Sequence, residues 1–163
     1  MNRMLLAEVA GTSQRVTATT RRLEKIDLLA NLLRQAVPDE IESVVAFLSG
    51  RTLQNRIGIG YATLREAGAT AAVESSLEIR EVNRILESLA AVEGRGSERQ
   101  KRELLDSLFA RATEAERRFV TGLLLGELRQ GALEGVMLEA LAKAFAASPE
   151  RRCEKSPTKL DDC

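Results

Sequence analysis

The sequence predicts an all-α protein, a single compact multi-helix domain with an internal pseudo-twofold repeat of helical hairpins. Three observations support this fold class. Apolar residues recur at three- and four-residue steps along most of the chain. No segment sustains the alternation that is typical of a strand, and two stretches of helical hairpin match each other at a fixed spacing. With 163 residues, 44% of them apolar and 29% charged, the chain can bury one core.

Six amphipathic helices are predicted in order along the chain from their apolar stripes. The stripes consist of Leu23, Ile26, Leu29, Leu33 and Ala36; Ile41, Val44, Val45 and Leu48; Val82, Ile85, Leu86, Leu89 and Val92; Leu104, Leu105, Leu108 and Phe109; Phe119, Val120, Leu123 and Leu124; and Val136, Leu138, Leu141, Ala142 and Phe145. Pro38 is expected to open the second helix, where its missing N–H costs little, and Gly50 to close it.

Helix starts are indicated by two capping-box patterns. Ser97 with Gln100 and Thr113 with Glu116 each place a hydroxyl three residues before a long polar side chain, which can satisfy free amides reciprocally. The segment 56–61 comes nearest to strand alternation but is too rich in glycine for a strand.

Residues 28–50 and 104–126 match at an offset of 76 residues. Matched pairs include Leu28 with Leu104, Glu40 with Glu116, and Gly50 with Gly126. Each copy is followed by an Arg-x-Gly loop, Arg56 to Gly58 and Arg129 to Gly131. The two loops align with each other when a gap of three residues is allowed. The leucine patterning could be shared by any two helical hairpins, but the recurring glycine and Arg-x-Gly favour a duplication.

Several classes of function are excluded or disfavoured by composition. The chain has no histidine, which removes His-dependent triads, two-His metal motifs and imidazole acid–base catalysis. Both cysteines, Cys153 and Cys163, lie in a polar tail and have no zinc-binding partners, so a reducing cytoplasm is expected. No signal peptide or membrane span is predicted. With a net charge of zero, any phosphate binding must come from local arrangement.

Three glycine-containing loops could supply such an arrangement. A glycine-rich loop that runs into a helix start leaves amides free to bind an anion. The candidates are Gly58 and Gly60 in the first loop, Gly131 in the second, and Gly96 with Ser97, Arg99 and Lys101 at a helix start. Each loop taken alone could be only a helix C-cap and a turn. Three such loops in one small domain favour phosphate contacts that position a protein without reading base sequence.

The order of these loops resembles the N-terminal DNA-binding domain of ATP-dependent DNA ligases, especially the actinobacterial type. The resemblance rests on LSGRTLQNRIGIG, EGRGSERQKRELLDSLFARA and GELRQG followed by an apolar helix, and it covers nearly all of residues 4–147. It implies an all-helical domain that binds the minor groove on both sides of a nick. With Arg56 and Arg99 from the loops themselves, the candidate DNA-binding residues are Thr20, Arg22, Arg56, Gly58, Gly60, Gly96, Ser97, Arg99, Lys101, Gly126, Arg129, Gly131 and Leu133. Glu127 departs from the arginine that eukaryotic relatives often carry there.

The catalytic half of that family is not found in this sequence. Ligation begins with a lysine of a Lys-x-Asp-Gly motif, which resides in a nucleotidyltransferase domain. Lys25-Ile-Asp27 and Lys159-Leu-Asp161 both lack the glycine. We therefore predict no catalytic or metal-binding residues in this chain and no activity alone, with ATP and Mg²⁺ belonging to a separate catalytic domain.

The predicted organisation is a ligase-type DNA-binding domain over 1–147 and a disordered polar tail over 148–163. The predicted function is non-catalytic binding of duplex or nicked DNA in repair, replication or recombination. The expected state is a monomer in the cytoplasm, associated with the nucleoid and working with a ligase catalytic core. The principal alternative is a helical protein–protein interaction scaffold, and a stand-alone enzyme is the third possibility.

Overall fold

The computed structural model describes residues 3–54, 57–68, 70–128 and 133–146, which form an all-α fold. The helices are α1 (Leu6–Ala18), α2 (Arg22–Gln35), α3 (Pro38–Leu48), α4 (Tyr61–Glu66), α5 (Ile79–Ala91), α6 (Ser97–Arg111), α7 (Glu114–Leu125) and α8 (Leu133–Phe145). Among these residues there is no β-strand, only one isolated antiparallel bridge. The predicted all-α class is confirmed.

The isolated bridge joins Leu5 to Glu78 and sets the starting points of α1 and α5. Two backbone hydrogen bonds hold it, from the Leu6 N–H to the Leu77 carbonyl at 2.8 Å and from the Ile79 N–H to the Met4 carbonyl at 3.0 Å. A glutamate in the first turn of each helix then accepts the N–H of the residue before the helix, as in a capping box. These acceptors are Glu8, at 2.8 Å from Leu5 N, and Glu81, at 3.1 Å from Glu78 N.

Helices α1 and α4 are not among the predicted elements. In α1 the buried face includes Thr12 and Ser13, so an apolar stripe is weak there although both side chains lie in the core. Helix α4 has only six residues, too few to show a helical period.

The contacts between helices repeat when α1–α4 are matched in order with α5–α8. Helix α1 contacts α7 and α5 contacts α3, while α2 packs against α8 and α6 against α4. All of them surround one core cluster, whose fully buried members include Phe47, Leu29, Leu33, Leu86 and Leu108. An internal duplication of four helices would give this pairing; the duplication itself stays a prediction.

Helices α3 and α7 end in the same way. Their last turns run into Gly50 and Gly126, which adopt φ values of 74° and 69°. In each case the following N–H bonds back to the carbonyl five residues earlier, from Arg51 to Ala46 and from Glu127 to Gly122, both at 2.9 Å. This is the Schellman arrangement, which needs a left-handed residue and therefore favours glycine. The predicted closure of α3 at Gly50, and its opening at Pro38, are confirmed.

The two capping-box predictions have different outcomes. Thr113 and Glu116 form the expected box at α7, with hydrogen bonds of 3.3 Å and 2.7 Å. The predicted box of Ser97 with Gln100 is wrong, because Gly96 occupies the N-cap position with φ 77° and Ser97 is already helical. A left-handed glycine turns the chain into α6, so the Ser97 hydroxyl lies one residue too late to cap it.

Two predicted core stripes are wrong in part. Leu23, in the first turn of α2, is 75% exposed and lies outside the core. On α8, Leu138 and Phe145 are 64% and 46% exposed, and Ala142 is exposed as well. The core face of this helix is formed by the predicted Val136 together with Met137 and Ala140, which were not predicted. Both faces of α8 are apolar, so the sequence pattern does not select the buried one.

Two buried glutamates lie at corresponding positions of the predicted repeat. Glu40 and Glu116 are each the third residue of their helix, α3 and α7, and both are 0% exposed. Glu116 caps its own helix through Thr113, whereas Glu40 Oε2 accepts the N–H of Met4 at 3.3 Å. Neither Oε1 atom has a hydrogen-bond partner within the described part of the chain. Glu40 thus ties the amino-terminal segment to α3.

We expect Gly50→Ala to destabilise the domain more than Gly126→Ala. Both glycines have positive φ, a conformation that costs another residue roughly 1–2 kcal/mol. A Cβ atom at Gly50 would also lie 2.9 Å from the Leu128 carbonyl oxygen, whereas one at Gly126 would meet nothing within 4 Å. Urea unfolding of both variants measures the difference. Equal losses in the free energy of unfolding would contradict the close approach at Gly50.

One ion pair connects α5 with the end of α6. The guanidinium of Arg111 donates to both carboxylate oxygens of Glu81 at 3.1 Å, and to the Ser76 carbonyl at 3.3 Å. The Arg111 hydrogen bonds, with the N–H of Glu78, hold the pKa of Glu81 below its ordinary value. The same pairing raises the pKa of Arg111.

The pair makes stability depend on pH in a defined direction. Because the folded-state pKa of Glu81 is lowered, its contribution is complete above the unfolded pKa of about 4.3 and is lost as the pH falls through the folded value. Both side chains are over a third exposed, so we expect Glu81→Gln to cost only about 0.5–1 kcal/mol at pH 7. Denaturant unfolding should show this cost vanishing below about pH 4. Glu93→Gln, at an exposed loop position, is the control, and a pH-independent cost would refute the assignment.

Candidate nucleic-acid interface

The amino-terminal end of α6 carries free backbone donors. Two left-handed glycines, Gly94 and Gly96, precede the helix, and no side chain caps it. The Ser97 N–H bonds to the Gly94 carbonyl at 3.3 Å and the Gln100 N–H to the Gly96 carbonyl at 3.1 Å. Within the described part of the chain, the amides of residues 98 and 99 have no acceptor. The helix dipole and these amides favour an anion here.

The first predicted loop lies against this helix end. Lys101 Nζ donates to the carbonyl of Gly58 at 3.1 Å, so the loop at 57–60 is fixed to the first turns of α6. Gly60 then serves as the N-cap residue of α4. Sequence reasoning treated Gly58 and Lys101 as parts of two separate loops, and the structure brings them into direct contact.

Two side-chain contacts hold α4 on α6. Thr63 Oγ1 donates to Glu98 at 3.1 Å, and Arg102 forms an ion pair with Glu66. The Arg102 guanidinium offsets the charge of Glu66, whereas Glu98 keeps its charge because its partner is a neutral hydroxyl.

A groove of about 550 Å³ extends this surface to the end of α7. It is lined by residues 50–52, 57–59 and 123–126, so Gly58 and Gly126 share it. The chain after α7 passes close to the end of α3. A Cβ atom built at Gly50 would lie 2.9 Å from the Leu128 carbonyl oxygen. Predicted contact positions from both halves of the chain thus border one another.

Thr20 and Arg22 lie at a second place, the start of α2. Thr20 is exposed and precedes the helix, while Arg22 forms an ion pair with Glu139 of α8. A Cβ atom at Gly135 would lie 3.5 Å from the Arg22 guanidinium, which places this side chain beside the first turn of α8. The start of α2 therefore faces the start of α8, as the start of α6 faces α4.

Several predicted positions fall outside the described residues. These are Arg56, Arg129 and Gly131, together with the tail 148–163, which includes the Lys159-Leu-Asp161 tripeptide. Leu133 begins α8, and its side chain lies outside the described part. In the other tripeptide, Asp27 forms an ion pair with Lys143 of α8, so this carboxylate has a packing role between two helices.

Three exposed arginines on this surface were missed as candidate sites. Arg51 follows Gly50 and lines the groove, Arg65 lies on α4, and Arg95 lies between the two glycines before α6. None of the three forms an ion pair with another described residue. The predicted Arg99 pairs with Glu103 one turn along α6 but is 86% exposed, so the pair is weak. Arg51 and Arg95 each adjoin a glycine in the sequence, but the left-handed conformation of that glycine and the exposure of the arginine are seen only in the structure.

Among the described residues, no group of three acidic, cysteine or histidine side chains could hold a metal ion. In the same part of the chain, no helix has the length and apolar character needed to cross a bilayer.

Comparison with known proteins identifies the relatives of this chain. Residues 67–142 match the family described as DNA ligase N terminus. A probable DNA ligase of Mycolicibacterium gilvum is 48% identical over 141 residues, which are 86% of this chain and 27% of that protein. A probable DNA ligase of Anaeromyxobacter dehalogenans is 51% identical over 144 residues, 86% of this chain and 28% of that protein.

A third relative, a probable DNA ligase of Rhodococcus jostii, is 44% identical over 151 residues, 91% of this chain and 30% of that protein. The chain thus spans less than a third of the length of these relatives. The resemblance inferred from the three loops is confirmed by matches that cover most of the sequence. Residues 67–142 therefore match the DNA ligase N-terminus family, and most of the chain is similar to part of probable DNA ligases.

Proposed function

We propose that this chain binds duplex DNA for a DNA ligase, gripping the phosphate backbone and minor groove around a nick. The observation that carries the proposal is the Lys101–Gly58 contact, which joins a glycine-rich loop to an uncapped helix start. Three sources of phosphate affinity then lie on one surface: free amides, the α6 dipole and exposed arginines.

The local character of this surface reconciles DNA binding with a net charge of zero. Phosphate contacts need cations and amides where the backbone passes, whereas overall charge mainly changes the rate of encounter. Arg51, Arg65 and Arg95 are exposed there, and the charge of nearby Glu66 is offset by Arg102. Such contacts fix position on a duplex without reading base sequence, which suits an enzyme that must act at any nick.

The role within the complete enzyme follows from the same proposal. The chain would act as a monomer in repair, replication or recombination, in the cytoplasm at the nucleoid. It would contribute no catalytic residue, and ATP and Mg²⁺ would be bound by the ligase catalytic core. Of the remaining candidate contacts, Thr20 and Arg22 would reach DNA from the start of α2, with Arg22 exchanging Glu139 for phosphate.

Fluorescence anisotropy with an intact duplex, a nicked duplex and a single strand tests the proposal. We expect both duplexes to bind, with little sequence preference and with a log–log salt slope that reflects several phosphates. Lys101→Met should weaken duplex binding roughly 3–10-fold and flatten the salt slope by about one contact, because it releases the loop at Gly58 and removes one cation.

Arg118→Ala is the matched control. It also removes one cation, but from the opposite end of α7 to Gly126, where Arg118 forms an ion pair with Glu114. Its duplex affinity should stay close to that of the unchanged chain. No duplex binding at low salt, or equal losses in the two variants, would refute the proposed surface.

Incubation with radiolabelled ATP and Mg²⁺ tests the non-catalytic assignment. Lys25 lies in α2 among leucines, and its neighbour Asp27 is committed to Lys143. We therefore expect no covalent adenylate on the chain after gel electrophoresis. A label that survives denaturation, and that Lys25→Arg or Lys159→Arg removes, would show the assignment to be wrong.

A further inference from the structure

Gly122 lies in the interior of α7, where the backbone conformation does not require glycine. It falls within the helix Glu114–Leu125 and is not among the glycines with positive φ. Glycine destabilises a helix interior relative to alanine, so its presence at this position needs another reason. The corresponding position of α3 in the predicted repeat carries Ala46.

The side chain of Leu128 supplies this reason. A Cβ atom built at Gly122 would lie 2.9 Å from Leu128 Cδ2 and 3.0 Å from Leu128 Cγ, well inside ordinary van der Waals contact. The chain turns back over α7 at this point, because the Glu127 N–H bonds to the Gly122 carbonyl at 2.9 Å. Leu128 therefore packs on the bare backbone of Gly122 and against the core.

Leu128 also approaches the end of α3. Its carbonyl oxygen lies 2.9 Å from the place that a Cβ atom of Gly50 would take. One residue thus meets a glycine of each half of the chain, with its backbone at Gly50 and its side chain at Gly122. The ends of α3 and α7 are two walls of the groove, lined by residues 50–52 and 123–126. Leu128 therefore fixes the separation of these walls.

Leu128 is not one of the residues that line this groove. It lines a separate groove between α1 and α7, together with Ala10 and Phe119. An aliphatic side chain also has no hydrogen-bond donor to offer a phosphate. Any contribution of the Leu128 side chain to DNA binding therefore acts through the position of other groups. Arg129, one of the candidate contacts, follows it directly in the sequence.

We propose that Leu128, seated on Gly122, is a positioning residue for DNA binding. It holds the ends of α3 and α7 at the separation that the groove needs, and with them the spacing of the groove's amides and cations. The inference rests on the proposed DNA-binding role. A site that is already held in its binding geometry avoids the cost of ordering when DNA arrives. Loss of the contact weakens binding although no group that itself binds phosphate is removed.

An exchange of volume between the two positions tests this role. Gly122→Val with Leu128→Ala adds at one position as many carbon atoms as it removes at the other, so the double variant can restore packing that each single change disrupts. Fluorescence anisotropy of the whole chain on a nicked duplex, at several salt concentrations, measures each affinity. We expect each single variant to bind roughly 5–10-fold more weakly with a smaller salt slope, and the double variant to bind within about threefold of the unchanged chain.

Val82→Ala is the control for a loss of stability alone. Val82 is buried on α5, outside the residues that line the groove. Thermal unfolding of every variant shows whether it is folded at the temperature of the assay. The control should lose stability but keep its DNA affinity and salt slope. If Gly122→Val does not fold, Leu128→Ala and the double variant are sufficient for the comparison.

Three results would overturn the positioning role alone, with duplex binding by the unchanged chain intact. They are a Leu128→Ala variant that binds like the unchanged chain, a double variant that binds no better than Leu128→Ala, and a control that loses as much affinity as Leu128→Ala. A fourth result, no duplex binding by the unchanged chain at low salt, would refute the DNA-binding role and this inference with it.

Discussion

The left-handed turns at the ends of α3 and α7 determine where the rest of the interface can lie. Gly50 and Gly126 close the two helices with the same hydrogen-bond pattern and direct the following segments to one groove. At Gly50 the chain also approaches the Leu128 carbonyl so closely that no side chain fits. The loop at 57–60, which lines the same groove, is held on α6 beside the uncapped amides by Lys101.

Much of the fold could be predicted because the helix boundaries depend on local chemistry. Pro38, Gly50 and the Thr113–Glu116 box act within a few residues of their own position, so the sequence alone is sufficient. Helix α1 was not predicted because Thr12 and Ser13 interrupt its apolar stripe although both are buried in the folded chain. The buried side of α8 could not be chosen for a different reason, since both of its sides are apolar.

In the candidate site, too, local features could be predicted from the sequence and contacts made by tertiary packing could not. Residue types and loops were predictable, because a glycine beside a helix start that recurs three times in a small domain is typical of anion-binding loops. The contact between Lys101 and Gly58 was not predictable, since the two residues are 43 positions apart and meet only through the packing of α4 on α6. Arg51 and Arg95 were missed because their value comes from exposure, which periodicity does not report for loops.

Glu40 and Glu116 are buried at corresponding helix positions, but one makes a long-range hydrogen bond and the other a local one. Glu116 satisfies an amide three residues away, so the start of α7 is self-contained. Glu40 reaches across the fold to Met4, so the start of α3 depends on the beginning of the chain being in place. Removal of the first four residues would leave a buried carboxylate without its donor, while α7 would be untouched. Proteolytic trimming at the amino terminus therefore removes a hydrogen bond from the start of α3 and, with the Met4 carbonyl, the acceptor of the Ile79 N–H at the start of α5, while the start of α7 keeps its own cap.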